Sequence, residues 1–176
     1  MDELAQQLEL QIPRLRRYAL ALVGDPNRAD DLVQDCLERA WSRSHLFRPG
    51  SDLRAWLFTI LHNLHANAAR RYNSRPQEVS LADDGYAPST PATQGDAVAL
   101  NELRSALTSV PDDQRQVLLM VGMEQMTYQE VAVVLGIPIG TVMSRLHRGR
   151  ERLRDLLGSG KPGKDVAVKG NGRRTE

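Results

Sequence analysis

The sequence predicts an all-α protein in which two small helical domains are joined by a flexible acidic linker, the C-terminal one carrying a helix-turn-helix. Apolar residues recur at steps of three and four through most of the chain, and no strand-like alternation extends beyond a few residues. Residues 76–97 interrupt that pattern with four acidic residues, no basic residue, three prolines and two glycines. The C-terminal half contains the capping and turn residues that separate two consecutive helices.

These observations divide the chain into four segments. The first domain is expected over residues 1–75, the linker over 76–97, and the second domain over 98–158, with helices resuming near Val98. Residues 159–176 contain five basic and two acidic residues with frequent glycine, so we expect a disordered basic tail. The charge is therefore segmental, although the whole chain has a net charge of only +1.

Helices in the first domain follow from the apolar spacing and from helix-breaking residues. The first apolar stripe is expected to divide at Pro13, because proline lacks the N–H donor that a continuing helix needs. A helix over 28–43 follows a Gly- and Pro-containing turn. Ser51 or Asp52 is expected to cap the last helix, which runs to about Tyr72.

Composition excludes several classes of protein. The single cysteine, Cys36, cannot form an intrachain disulfide, and its place on an apolar helix face indicates a buried hydrophobe. There is no run of about 18 apolar residues, and the N-terminus lacks the features of a secretory signal. We therefore expect a cytoplasmic protein in a reducing compartment, with no membrane as a partner.

The C-terminal half contains the pattern of a helix-turn-helix. Thr127 and Glu130 have the spacing of a capping box, and Gly136 with Ile137-Pro138 ends a short helix in a tight turn. The second helix has an apolar stripe opposite a face of small polar and basic residues, which suits the major groove. An amphipathic surface helix with solvated arginines is the alternative, but the capped helix and the turn together favour DNA binding. The stripe is Ile139, Val142, Leu146, Gly149, Leu153 and Leu156, and the opposite face is Gly140, Ser144, His147, Arg148 and Glu151.

Two polar surfaces are predicted in the first domain. The first is an acidic and polar stripe on the helix over 28–43, although such stripes are usually only solvated faces. The second is a polar and basic side of the next helix, near aromatic residues that suit single-stranded DNA. Core aromatics beside a basic helix end explain the second surface as well, so both interpretations stay open. The first surface is Asp31, Gln34, Asp35 and Glu38; the second is Asn63, Asn67, Arg70 and Arg71, near Phe47, Trp56 and Phe58.

Four segments in a fixed order carry a more specific pattern: ADDLVQDCLERAW at 29–41, FRPGSDLRAWLFTILHN at 47–63, VPDDQRQVLLMV at 110–121 and MTYQEVAVVLGIPIGTVMSRLHRGRERLR at 126–154. This combination resembles the extracytoplasmic-function (ECF) group of the sigma-70 family. The resemblance implies a protein that carries core RNA polymerase to promoters, recognises the −35 element and melts the −10 element. The implied partners are core RNA polymerase, through the clamp helices and flap of its large subunit, promoter DNA and an anti-sigma factor. It implies no catalytic residue, metal, cofactor or small-molecule substrate.

The resemblance also implies roles for individual residues. The stripe that docks on the polymerase clamp helices is matched by Asp31, Gln34, Asp35 and Glu38. The −10 surface, with a pocket for a flipped base, is matched by Phe47, Arg48, Asn63, Asn67, Arg70 and Arg71. The −35 surface, with a phosphate contact at the first two residues, is matched by Thr127, Tyr128, Gly140, Thr141, Ser144, Arg145, His147 and Arg148.

The chain departs from the family pattern at two positions of the second domain. Gly122 stands where a basic residue is frequent before the helix-turn-helix, and Met143 stands where the second helix often has Arg or Lys. One phosphate contact and one flanking contact are therefore expected to be missing. The acidic linker resembles the segment that passes near the polymerase active site and RNA exit channel.

Two other classes of function fit parts of the pattern. A one-component helix-turn-helix regulator would need a ligand pocket or a dimer interface, and it would bind duplex DNA alone. A metalloprotein or enzyme would need three or four convergent ligands, and the chain offers His62 and His65 on one helix, with His45 and Cys36 elsewhere. Because no metal-binding, phosphate-loop or nucleophile motif occurs, the two helix histidines are expected on a polar face, near DNA.

Overall fold

The computed structural model describes residues 2–48, 50–73 and 94–158. The described part of the chain is all-α, with seven α-helices, one short 3-10 turn at Ser44–Leu46 and no strand. The helices are α1 Asp2–Val23, α2 Pro26–Ser42, α3 Leu53–Asn73, α4 Gln94–Thr108, α5 Asp112–Gly122, α6 Tyr128–Leu135 and α7 Ile139–Gly158. We call α1–α3 the N-terminal domain and α4–α7 the C-terminal domain.

The helix α1 is continuous, so the predicted break at Pro13 is wrong. Proline removes one backbone hydrogen bond and costs about 3 kcal/mol inside a helix. Pro13 is exposed and so is Glu9, whose carbonyl lacks the usual donor, so water can reach that group. Packing of α1 against α2, α4 and α5 keeps the two halves in line.

Short polar contacts set the beginnings of α2 and α3. Asp25 caps α2, because its Oδ1 accepts from the backbone N–H of Arg28 at 2.7 Å. Asp52 caps α3 in the same way, accepting from the N–H of Ala55 at 3.1 Å. Of the two predicted caps for α3, the structure therefore uses Asp52, while the Ser51 hydroxyl donates to the carbonyl of Arg48.

The N-terminal core lies between the three helices. Tyr18 of α1 and Phe58 of α3 are fully buried and meet edge to face, with ring centroids 4.8 Å apart. Cys36 is buried on α2, its thiol donates to the carbonyl of Leu57 at 3.5 Å, and burial raises its pKa to about 12. A thiol in this state is a poor nucleophile, which confirms Cys36 as a buried hydrophobe.

The C-terminal domain begins earlier than predicted. The helix α4 starts at Gln94, inside the segment that was assigned to the linker. The prediction missed this start because the first turn of α4 has no apolar stripe. The remainder of the predicted linker up to residue 93, and the tail over 159–176, lie outside the described residues. The core of this domain is formed by residues such as Val117, Met120, Val131, Val142 and Leu146.

The two domains pack directly against each other. The helix α1 contacts α4 and α5, and α3 contacts α6, so the buried apolar residues form one continuous cluster.

No single described helix is long and apolar enough to cross a membrane; α6 and α7 pass that test only as a pair joined across a 103° bend.

Candidate nucleic-acid interface

The predicted helix-turn-helix is present as α6, a tight turn and α7. The Thr127 hydroxyl accepts from the N–H of Glu130 at 3.2 Å, and Glu130 Oε2 accepts from the N–H of Thr127 at 2.6 Å. These reciprocal bonds are the predicted capping box. Gly136 ends α6 with a φ of +63°, a left-handed conformation that suits glycine. The Pro138 carbonyl then accepts from the N–H of Thr141, which starts α7.

The buried stripe of α7 covers a shorter part of the helix than predicted. Val142, Leu146 and Gly149 are buried against the rest of the domain, whereas Ile139 is 42% exposed and Leu156 36% exposed. The predicted stripe is therefore correct in its centre and wrong at its two ends. The helix α7 has 20 residues and is longer than α4, α5 and α6, so its whole apolar stripe need not be covered by them.

The predicted −35 residues differ in how freely they can reach DNA. The exposed side contains Gly140, His147 and Arg148, and His147 Nε2 lies 3.4 Å from Glu151 Oε2. Thr141, Ser144 and Tyr128 are half-buried, and Thr127 is exposed at the start of α6. Arg145 is held inside the domain, because its Nε lies 3.1 Å from Asp113 Oδ2 and its side chain is 28% exposed.

The predicted polymerase-binding stripe is exposed on α2. Asp31, Gln34, Asp35 and Glu38 all face outward, and the opposite face of the helix is buried in the N-terminal core. Gln34 Nε2 donates to Glu38 Oε1 at 3.0 Å, which links two members of the stripe. The stripe is thus a continuous acidic surface that is available to a basic partner.

The predicted −10 residues lie on the loop before α3 and on α3 itself. Phe47 is half-buried and its ring packs on Trp56, with ring centroids 5.2 Å apart. Trp56 therefore packs in the core and also forms one side of the predicted base-binding surface. Arg48, Asn63, Asn67 and Arg70 are exposed. Arg71 lies on α3, but its side chain is outside the described set.

A groove of about 490 Å³ brings the two predicted surfaces of the N-terminal domain together. It lies between α2 and α3, so Asp35 and Glu38 of the polymerase stripe stand opposite Asn67 of the −10 surface. Sequence reasoning missed Arg39 and Ser42, which also line this groove. The signal that could have found them is their spacing, since Arg39 and Ser42 lie four residues after Asp35 and Glu38 on the same helix.

Sequence reasoning also missed an ionic contact between the domains, formed by Arg54 of α3. Its guanidinium donates to the carbonyl of Glu124 at 3.1 Å and to Glu130 Oε1 at 3.0 Å. Glu130 is the capping-box carboxylate, and hydrogen bonding to Thr127, with help from Arg54, lowers its pKa. The predicted phosphate contact at the start of α6 therefore lies beside a side chain of the other domain.

Glu124 is the centre of this contact. Its carboxylate is fully buried, and Arg14 and Arg17 of α1 approach it at 3.0 and 3.5 Å. Burial raises the pKa of Glu124, and the charges of the two arginines oppose that rise. A buried carboxylate without such partners would be strongly destabilising, so the three groups act together to hold α1 against the loop before α6.

The two histidines of α3 also face the C-terminal domain, which corrects the expectation that they lie near DNA. His62 Nδ1 donates to Gln116 Oε1 at 2.6 Å, and His65 Nε2 lies 2.9 Å from Asp112 Oδ1. Burial lowers the pKa of His62. Burial alone would raise the pKa of Asp112. The hydrogen bonds and charges of His65, Gln116 and Arg115 have a larger, opposite effect, and they lower the pKa of Asp112 to about 2. No group of three or more potential metal ligands occurs among the described residues.

Comparison with known proteins finds a family model for each of the two domains. The family model for the Sigma2 domain of PhyR matches residues 8–62, and the model for Sigma-70, region 4, matches residues 100–153. The chain is 41% identical to the ECF RNA polymerase sigma factor EcfG of Rhodopseudomonas palustris, over 89% of this chain and 86% of that protein. It is 32% identical to SigE of Mycolicibacterium smegmatis, an ECF sigma factor, over 89% of this chain and 61% of that protein.

Solved structures share the fold. The sigma factor RpoE of Bartonella quintana, in complex with the anti-sigma factor NepR, superimposes with a TM-score of 0.73 at 31% identity, covering 92% of this chain and all of that one. CnrH, in complex with the cytosolic domain of CnrY, gives a TM-score of 0.67 at 25% identity, covering 89% and 88%. With its helix-turn-helix, its two-domain helical fold and relatives that match along nearly its whole length, this chain belongs to the ECF RNA polymerase sigma factors.

Proposed function

We propose that the chain works through two exposed surfaces, one for polymerase and one for promoter DNA. The acidic stripe of α2, formed by Asp31, Gln34, Asp35 and Glu38, docks on the basic clamp helices of core RNA polymerase. The observation that carries this proposal is the exposure of all four stripe residues on a helix whose opposite face is buried. An acidic face of this kind contributes nothing to the core, so it is free to bind a basic partner.

Three of the proposed DNA-binding residues, His147, Arg148 and Asn63, also lie on exposed faces of helices whose opposite faces are buried. On α7, His147 and Arg148 point away from the buried stripe and would meet base edges of the −35 element. On α3 and the loop before it, Phe47 and Asn63 would accept an unpaired base of the −10 element. The aromatic pair of Phe47 and Trp56 supports this role, since an apolar wall beside an amide suits a nucleobase.

An anti-sigma factor is the third proposed partner. The Bartonella quintana relative was solved in complex with the anti-sigma factor NepR, and this chain superimposes on it along nearly its full length. We propose that a protein of this class binds the packed arrangement of the two domains. The chain would then act in the cytoplasm, by binding rather than by catalysis, and it would need no cofactor.

The decisive experiment is transcription in vitro from a genomic fragment library, with purified core polymerase and this protein. We expect a set of start sites that share two upstream elements, and none without the protein. The competing function, a one-component helix-turn-helix regulator, would give specific binding to duplex DNA without polymerase. Such binding, with no new start sites, would reject the sigma-factor function.

Charge reversal tests the polymerase surface. The double variant Asp35→Lys with Glu38→Lys should abolish association with core polymerase while changing the free energy of unfolding by no more than about 0.5 kcal/mol, because both side chains are solvated. A matched control is Glu3→Lys with Glu102→Lys, which makes the same charge change at exposed acids off the stripe. Normal holoenzyme assembly by the first variant would rule out this surface.

A further inference from the structure

Met143 is an exposed apolar side chain near the start of α7, on a helix whose exposed sides carry several arginines further along. It is 49% exposed, although it follows the fully buried Val142 by one residue. A step of one residue turns a side chain by about 100° around a helix, so Met143 stands at the border of the buried face. Ile139, four residues earlier, shares this flank and is 42% exposed.

The same flank changes character along the helix. His147 follows Met143 by one turn, and Arg150 and Arg154 follow by about two and three turns, all of them exposed. These residues remain exposed with the two domains packed together, so the flank is open to a partner. The flank is therefore apolar at the end of α7 that enters a groove first and basic where the helix would pass the phosphates.

This gradient identifies the occupant by its chemistry. Arginines along one helix flank fit the phosphate backbone, which makes nucleic acid the complementary partner of the whole surface. Within the major groove, the apolar group that a base pair presents is the C5 methyl group of thymine. An exposed methionine has the length and flexibility to cover that methyl group, because its side chain is unbranched and adaptable.

We propose that Met143 is a specificity-determining residue that reads a thymine methyl group in the −35 element. The assignment rests on the proposed function, since it requires α7 to lie in the major groove of a promoter. Met143 thereby adds a preference for an A·T pair beside the bases that His147 and Arg148 face. Ile139 extends the same apolar surface towards the start of the helix.

The test replaces thymine by deoxyuridine, which lacks only the C5 methyl group. Promoter fragments from the transcription library are prepared with one such change at a time on either strand of the −35 element. Holoenzyme affinity should fall about fourfold at one position, the factor that corresponds to burial of one methyl group. With Met143→Ala, the ratio between thymine and deoxyuridine at that position should fall to about one, while Met143→Leu should retain most of it.

Val133→Ala is the matched control, because Val133 is an exposed apolar residue of α6, 75% accessible, outside the predicted DNA surface. It should leave the ratio unchanged. A ratio of one at every thymine with the unmodified protein, a ratio that Met143→Ala does not alter, or a −35 element without A·T pairs beneath α7 would overturn the proposal. These results would be obtained from a transcribing holoenzyme, so they differ from failure of the proposed function, in which no promoter is transcribed at all.

Discussion

Arg145 and Arg148 lie three residues apart on α7, but their surroundings differ. Arg145 is tied to Asp113 of α5 and is 28% exposed, so a contact with DNA would require that ion pair to open. Arg148 is exposed and lies opposite the buried residues Val142 and Leu146. The guanidinium of Arg148 is therefore the better placed of the two to donate to the O6 and N7 atoms of a guanine.

Replacing Arg148 should change specificity more than general affinity. We expect Arg148→Ala to relax the preference at one −35 base pair, most often a guanine, at a cost of about 1–3 kcal/mol for the preferred base. Arg154→Ala, further along α7, should weaken binding slightly and equally for all sequences. Transcription from promoters with each −35 base changed in turn separates the two effects. A uniform loss of activity for Arg148→Ala would make it a phosphate contact.

Asn63 provides a second test at single-residue level. Its amide is exposed on α3 and offers both a donor and an acceptor to an unpaired base. Asn63→Ala should keep polymerase binding and −35 binding but lower the yield of open complexes. Permanganate footprinting of the −10 region measures this yield directly. Asn101→Ala, an exposed asparagine of α4, is the control, and identical footprints for both variants would make Asn63 an ordinary surface amide.

The packing of α7 against α5 depends on a glycine. A Cβ atom on Gly149 would lie 2.9 Å from Leu118 Cδ1 and 3.4 Å from Gln114 Cβ, so the two helices approach as closely as the absence of a side chain allows. A side chain at this position would therefore have to displace Leu118 of α5. The apolar spacing of α7 predicted that Gly149 faces inward, but not how close α5 would lie.

A larger residue at this position should destabilise the C-terminal domain. Gly149→Val should lower the free energy of unfolding by about 1–3 kcal/mol, because the added methyl groups overpack the α5–α7 contact. Gly122→Val serves as the control, since nothing lies within 4 Å of a Cβ atom at Gly122. Urea denaturation of both variants gives the difference. Equal stability of the two variants would show that α5 can move away without cost.

The sequence predicts best those elements whose boundaries depend on neighbouring residues. The capping box at Thr127 and Glu130 and the left-handed Gly136 were predictable, because the interacting groups lie within a few residues of each other. Pro13 was misinterpreted because packing of α1 on other helices outweighs a local penalty. The contacts of Arg54 with Glu124 and Glu130 join residues 70 and 76 positions apart, and no spacing rule connects them.

Among the candidate site residues, sequence reasoning identified exposed and buried faces but not their pairings. It grouped Arg145 with Arg148, although an ion pair holds only Arg145. It placed His62 and His65 on a polar face near DNA, whereas they face α5. Such pairings depend on how helices meet in three dimensions, which the 3.6-residue period of one helix does not encode.

At the scale of the whole molecule, the packed domains and the proposed function impose different geometries. The centres of −35 and −10 elements lie about 25 base pairs apart, or about 85 Å along B-form DNA. Two domains in direct contact cannot reach both sites on straight DNA. The packed arrangement is therefore expected to open when the protein binds polymerase and promoter, and polar contacts such as that of Arg54 suit a reversible interface.

Removing Arg54 tests what holds the domains together. Arg54→Ala should weaken domain packing by about 1–3 kcal/mol, because the Glu124 carbonyl and the Oε1 atom of Glu130 each lose the donor that Arg54 supplies. The free protein should then show a larger radius of gyration by small-angle scattering, with transcription in vitro retained. Arg43→Ala, at an exposed arginine after α2, should leave the scattering unchanged. Identical profiles for all three proteins would exclude Arg54 as a domain contact.

The ionic character of the α1 contact has a consequence during synthesis on the ribosome. The helix α1 is made first, yet the loop containing Glu124, which Arg14 and Arg17 meet, is translated about a hundred residues later. At about 5–20 residues per second, several seconds or more pass between the synthesis of these two arginines and the synthesis of Glu124. Because charged side chains stay hydrated during that interval, we expect this side of α1 to resist aggregation until the second domain emerges.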